Sequence, residues 1–231
     1  MPGPRRSRSE GWRSAAALLL LALALASRSR DLVPDLVPFA WAEQAEALRA
    51  GVFSPARQAP DFTLHGSDGG EFELSRHRGK VVILVFGFTT CPDVCPTTLK
   101  TLAEAQRKLG TQADQLQVVY ITVDPQRDDA ARLRSYLGFF DPGFIGGTGS
   151  DAQLSAVRQA YGILATRVTS GDSYRFSHSS FTYLIDRAGQ LRALMPYGQG
   201  SDDYVHDVGI LLNEAPPVPI VPATLPGAVP R

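Results

Sequence analysis

Two cysteines are all that this chain carries, too few to staple a small disulfide scaffold. It also lacks any excess of charge. Its 23 Lys and Arg stand against 23 Asp and Glu, so the whole chain has neither the basic footprint of a nucleic-acid binder nor a marked acidic bias. Long apolar runs are missing as well: the longest, Ala15 to Ala26, has twelve residues, short of the ~20 that cross a bilayer as a helix. The DLVP repeat at 31–34 and 35–38 is too short to be an architectural unit. No cysteine precedes Cys91, which excludes a lipid-bearing cysteine just behind the apolar run. What remains is a chain of 231 residues, 44% apolar and 20% charged, sized for one substantial domain with appendages.

Arg5, Arg6, Arg8 and Arg13 precede the apolar run, and Ala24-Leu25-Ala26 offers a small-x-small cleavage site. Residues 1–30 therefore read as a signal peptide or as an uncleaved membrane anchor. Either puts the domain outside the cytoplasm, on the periplasmic side of the membrane. Residues 31–59 read as a Pro-stiffened linker with a short helical stretch from Trp41 to Arg49. Residues 215–231, with six prolines and no periodicity, read as a disordered tail.

Between them, residues 60–214 carry the domain. Asp61 to Ser75 shows two short alternating runs about a Gly/Asp/Ser turn, which predicts a β-hairpin. Lys80 to Phe88 and Leu116 to Asp124 are β-branched apolar runs, the pattern of strands buried on both faces in a parallel sheet. Helical spacing follows each, over Thr98 to Leu109 and Ala130 to Phe140. Then come a short strand at Phe144 to Gly147, a helix capped near Asp151, strands Phe181 to Asp186 and Leu191 to Met195 as a hairpin, and a helix from Ser201. This order predicts an α/β chain of the thioredoxin type: a mixed central sheet flanked by helices, with an N-terminal β-hairpin.

Both cysteines fall at one place in that plan, the turn FTTCPDVCPTTL between a buried strand and a helix. Pro96 suits the first helical position, which would set Cys95 at or near the N-cap, where free N–H groups and the helix dipole favour a thiolate. Pro92 breaks the backbone after Cys91. The two sulfurs can then meet as a redox pair or as two metal ligands. Two thiolates make an incomplete metal site, and four histidines compete to complete it. His65 and His77 lie in polar turns, and His206 in the last helix. His178 precedes the strand that in such a sheet passes beside the cysteine turn, so it is the candidate third donor; a purely structural role for it is equally compatible with that position.

The motifs FGFTTCPDVCPTTL, VDPQRD, FIGGTG and SHSSFTYLID, in this order, resemble the Sco/SenC family of copper chaperones from about Pro60 to Leu212. The resemblance implies that Cys91, Cys95 and His178 bind copper, as Cu(I), Cu(II) or both. It also implies a role in maturing the dinuclear copper centre of cytochrome c oxidase. The partners so implied are a copper-receiving oxidase subunit and, upstream, a copper-donating chaperone or a thioredoxin-like reductant. Members of the family often carry an acid just before the histidine; here that position is Ser177. Asp93, between the cysteines, and Asp124, in VDPQRD, are candidates for tuning the site or meeting a partner, or are simply a turn acid and a strand-end cap.

Two enzyme classes share the predicted fold. A thiol-disulfide oxidoreductase would use Cys91 and Cys95 on a partner's cysteines. Against a general one stand the CxxxC spacing and the absence of a proline in His178-Ser179-Ser180-Phe181, where thioredoxins place one. A thiol peroxidase finds a partial echo in Thr89-Thr90-Cys91-Pro92.

Overall fold

The computed structural model of the protein describes residues 47–214 with the exception of 172. The expected signal or anchor, the linker up to residue 46 and the Pro-rich tail lie outside the described residues. From Ala47 the chain forms one compact unit.

The sheet has eight strands. They are β1 (Gly51–Gln58), β2 (Thr63–Gly66), β3 (Glu71–Glu73), β4 (Val81–Gly87), β5 (Leu116–Thr122), β6 (Ile145–Thr148), β9 (Phe181–Ile185) and β10 (Gln190–Pro196), in the order β1-β10-β9-β4-β5-β6-β2-β3. The two centre strands, β4 and β5, are buried along their whole length and pair in parallel, Val81 opposite Leu116 through Gly87 opposite Thr122. That is the environment their unbroken Val/Ile/Leu runs require. β5 and β6 also run parallel, while β9 pairs with β4, and β10 with β9, antiparallel. The predicted N-terminal hairpin is β2–β3, with Thr63 opposite Glu73. Helices α1 (Val94–Leu109), α2 (Ala130–Gly138), α3 (Asp151–Tyr161) and α4 (Ser201–Asn213) supply the flanking layers. α1 buries Leu99, Leu102, Ala103, Ala105 and Leu109 on one stripe. Ser150 caps α3 in a capping box with Gln153, one residue before the expected cap.

Three features depart from the sequence reading. Gly51–Gln58 belongs to the sheet: β1 pairs antiparallel with β10, so the domain starts inside the expected linker. Its approach is fixed by Asp207 of α4, a fully buried carboxylate that accepts from the backbone N–H of Arg49 at 2.8 Å and of Ala50 at 2.9 Å. Second, residues 47–49 are not helical. Third, a separate two-stranded antiparallel sheet, β7 (Ala165–Ser170) and β8 (Ser173–His178), projects between α3 and β9. It pairs Ala165 with His178 and carries the candidate third donor at its end. No helix among the described residues is long and apolar enough to cross a membrane.

Candidate metal centre

β4 runs into the cysteine turn at Phe88. The turn is built on a buried carboxylate: Asp128 accepts from the Thr89 backbone N–H at 2.9 Å, from the Thr89 hydroxyl at 2.6 Å and from the Thr122 hydroxyl at 2.7 Å. Asp128 is fully buried, and Arg132 Nε reinforces the array by donating to Thr89 Oγ1 at 3.1 Å. The strand end, the turn and the VDPQRD loop are thereby locked together. The sequence offers Thr89 only as part of the peroxidase-like echo and does not single out Asp128, although Asp128 is the last acid of that motif.

α1 begins at Val94, earlier than the prolines suggested. Asp93 takes the N-cap position, without a capping hydrogen bond from its side chain, and Cys95 is the second helical residue. Pro96 then falls third. A helix's first four N–H groups have no intrahelical acceptor, so a proline costs nothing there. Cys95 is 3% exposed, whereas Cys91 is half-buried at the mouth; both are free thiols. Their roles are the reverse of the expectation. The Cys95 thiol beside it, helped by His178 and by the backbone N–H groups of Cys95 and Asp93, outweighs partial burial and brings Cys91 down to about 3. The neighbouring Cys91 sulfur and then burial push Cys95 up, well above the ordinary thiol range. The surroundings thus favour the thiolate on the outer cysteine over the inner one.

A pH profile of alkylation tests this division. A depressed value means that Cys91 is already a thiolate throughout neutral and mildly acidic pH. In reduced, metal-free protein its iodoacetamide rate is expected to stay flat between about pH 5 and 8, whereas an ordinary thiol speeds up about tenfold per unit below its value near 8.5. Peptide mapping should find the label on Cys91 first. A tenfold rise per unit would show Cys91 to be an ordinary thiol.

His178, 83 residues beyond Cys95, arrives from β8. Its Nε2 lies 3.6 Å from Cys95 Sγ. Its Nδ1 is 2.7 Å from the Ser179 carbonyl, to which Nδ1–H donates. That bond fixes the tautomer and leaves the Nε2 lone pair facing the sulfur, the arrangement a metal-binding imidazole needs. The Ser179 carbonyl thus orients the imidazole without help from the side chain at position 177. Phe88 forms the side wall, with its ring edge-on to His178 at 5.8 Å and tilted against Phe176 at 6.0 Å. An open cleft of about 280 Å³ exposes Cys91 and His178 between Pro92, Val94, Arg175 and Phe176.

The donors fit a soft metal ion. Ligands about 2.3 Å (sulfur) and about 2.0 Å (nitrogen) from one ion, at an angle near 120°, sit about 3.7 Å apart. The Cys95–His178 separation of 3.6 Å matches that spacing. Cys91 interacts with both. Among the described residues, however, no three Cys, His, Asp or Glu side chains already surround one point at ligand distance, so the triad is assembled pairwise and would close further on an ion.

The remaining candidates part company. Asp93 is exposed at the helix start, its carboxylate 3.4 Å from the Thr97 hydroxyl. Asp124 is 1% exposed and braces the β7–β8 hairpin: it accepts from the Tyr174 hydroxyl at 2.9 Å and pairs with Arg127. Arg127 and Arg167 lie over the Tyr174 ring at 3.9 and 3.6 Å. Asp124 therefore contacts the arm that carries His178 and does not line the cleft. His65 is exposed on β2, His77 stacks on Phe72 at 4.9 Å, and His206 sits 2.8 Å from Asp207; none of the three lines the cleft.

With this geometry in hand, comparison with known proteins is informative. A SCO2-like protein of Rickettsia felis is 39% identical over 133 residues, 56% of this chain and 65% of that protein; the chain spans just under two thirds of that relative's length. Among solved structures, Bradyrhizobium japonicum ScoI with copper bound superposes with a TM-score of 0.63 at 32% identity, over 67% of this chain and 99% of that one. Yeast Sco1 with copper bound gives 0.63 at 30% identity, over 71% and 92%. The predicted thioredoxin-like class is therefore the fold of the chain. The family model described as SCO1/SenC matches residues 53–213, from within β1 to the last residue of α4, and the chain belongs to that family.

Proposed function

We propose that the protein is a copper-binding metallochaperone that holds its cargo with Cys91, Cys95 and His178. The observation that carries this reading is the convergence of two free thiols and an oriented imidazole at one cleft. Two soft sulfurs and one imidazole suit Cu(I) in a three-coordinate site. Zinc accepts the same donors with a water. What favours transferable copper over structural zinc is the built-in way out, since joining the two sulfurs removes two of three donors. The solved relatives with copper bound agree with this cargo.

The client on this reading is the copper-receiving subunit of cytochrome c oxidase, as the motifs imply, and the N-terminal segment delivers the domain to the outer face of the membrane. Exchange chemistry can serve the same client. Cys91, as thiolate, attacks a disulfide in the partner and forms a mixed disulfide, releasing one partner thiolate. Cys95 then gives up its proton and displaces the second partner sulfur. The partner gains two electrons and, with the Cys95 proton and one proton from solvent, two thiols, and Cys91–Cys95 becomes the disulfide. A thiol-disulfide oxidoreductase that never handles copper is the second reading, favoured by the low value at Cys91. His178 separates them, because thiol exchange does not need an imidazole that copper does.

Metal analysis tests the proposal. Reduced protein is expected to take up about one copper per chain, and protein oxidised to the Cys91–Cys95 disulfide to take up none. Copper bound equally well by the oxidised form would overturn the cysteine assignment.

A further inference from the structure

The free edge of β8 opens onto the donor cleft. Successive residues of a strand turn their N–H and C=O groups to opposite sides. Two bonds fix which way each residue of this segment faces. The Ser179 N–H donates to the Leu164 carbonyl at 2.9 Å, on the β7 side. The Tyr174 carbonyl accepts from Arg127 Nη1 at 3.1 Å, away from β7. The unbroken register between β7 and β8 therefore turns Arg175 and Ser177 toward β7, and Phe176 and His178 outward. Among the described residues nothing meets the Phe176 N–H or C=O. The cleft follows this edge: Arg175 and Ser177 line it from one face of the strand, Phe176 and His178 from the other, and no residue of β7 does.

A bare strand edge is a template for another strand, and the edges of the eight-stranded sheet are guarded. β3 is three residues long and carries Glu71 and Glu73, and β1 holds Pro55. We propose that the outward edge of β8 docks an extended, cysteine-bearing segment of the partner protein, which adds to β7–β8 as a third strand antiparallel to β8. Antiparallel pairing uses both Phe176 main-chain groups on one residue of the segment. Cross-strand neighbours share a face, so β8 dictates the pattern. Opposite Phe176, whose ring packs on Phe88 at 6.0 Å, the segment needs an apolar residue. Opposite Arg175, exposed and without an acid among the described residues, it needs a carboxylate. Asp93, exposed on the opposite wall, disfavours further acids along the segment. Opposite His178 a side chain emerges on the face of the imidazole, and a thiol is the group that there takes up a soft metal or enters exchange. Read from its N-terminus, the segment is Cys-x-apolar-acid. The cysteine in this pattern rests on the function proposed above; the edge pairing does not.

A short capped synthetic peptide containing Cys-Thr-Leu-Glu tests the docking on the reduced, metal-free full chain. Followed by fluorescence anisotropy, the labelled peptide is expected to bind saturably. An ester in place of the leucine amide removes the N–H that reaches the Phe176 carbonyl and adds no bulk. It should weaken binding about fivefold, the size of one net hydrogen bond. Arg175→Glu should weaken the parent peptide about threefold or more, and a peptide with lysine in place of glutamate should regain that loss on the variant. In wild-type protein the Phe176 amide proton should gain protection from exchange when the peptide binds, while the Arg175 amide, already turned to β7, stays as it was. No saturable binding, an ester peptide that binds as well as the amide, a charge swap without recovery, or no protection at Phe176 would overturn the inference. Copper uptake by the same protein is read separately. A chain that binds copper and not the peptide loses only this inference, and one that binds the peptide and no copper loses only the copper reading.

Discussion

Replacing Cys91 or Cys95 by serine is expected to cost at least about a hundredfold in Cu(I) affinity, and His178→Ala less, on the order of tenfold. If a site of three donors binds with roughly 10 kcal/mol, each donor carries about 3 kcal/mol on average, and the soft thiolates carry more than the imidazole. The variants should differ in a second way. Cys91 is half-buried at the mouth, so its serine variant should unfold like wild type. Cys95 is 3% exposed, so a hydroxyl there lacks both water and its metal, and the variant should also lose about 1–2 kcal/mol of stability. Chelator competition and urea unfolding measure the two effects separately. A His178→Ala protein that binds copper as tightly as wild type would remove the histidine from the ligand set and leave the thiol-exchange reading in front.

The second large effect lies beneath the turn. Asp128→Ala leaves the Thr89 N–H and the hydroxyls of Thr89 and Thr122 without their acceptor in a fully buried place. Each stranded donor costs about 1 kcal/mol or more, so a loss of about 3 kcal/mol is expected. With a urea slope of about 2 kcal/mol/M, the midpoint should drop by about 1.5 M. Asp128→Asn retains one acceptor oxygen and should lose roughly half as much. Copper affinity should fall along with stability, because the residue that Asp128 anchors is two positions from Cys91. A midpoint shift under about 0.3 M would mean that the turn is held by the strand pairing of β4 and β5 alone.

The centre of the sheet and the cysteine turn could be read from sequence because their signals are local. The apolar runs of β4 and β5 have one explanation at that length, and prolines beside both cysteines leave few backbone paths. The start of α1 was misread for the same locality: Pro96 marks a first turn without saying which residue of it is first. β1 was hidden because an edge strand mostly exposed on both faces carries no alternation, and GVFSPARQ holds a proline as well. β8 was legible and missed. Tyr174, Phe176 and His178 alternate with exposed residues at period two. The exchanged roles of the cysteines follow from the contact between the two sulfurs and then from their unequal depth below the surface, properties of the assembled fold with no counterpart in the spacing CxxxC. Asp128 becomes visible only when β4, β5 and the VDPQRD loop lie side by side.

The two-stranded β7–β8 sheet shares no strand pairing with the eight-stranded one. Its base is pinned by the Ser179 N–H donating to the Leu164 carbonyl at 2.9 Å, and its length is braced by Tyr174 between two arginines. In coordination chemistry such a ligand set has a name. Under the reading proposed above, the sulfurs are a bidentate bite set by one turn of chain, and the imidazole comes from a separate arm, which would make the whole a hemilabile chelate. An incoming donor can take the place of the arm before it contests the bite. A metal held this way would exchange by association, passing to the incoming donor without being free in solution.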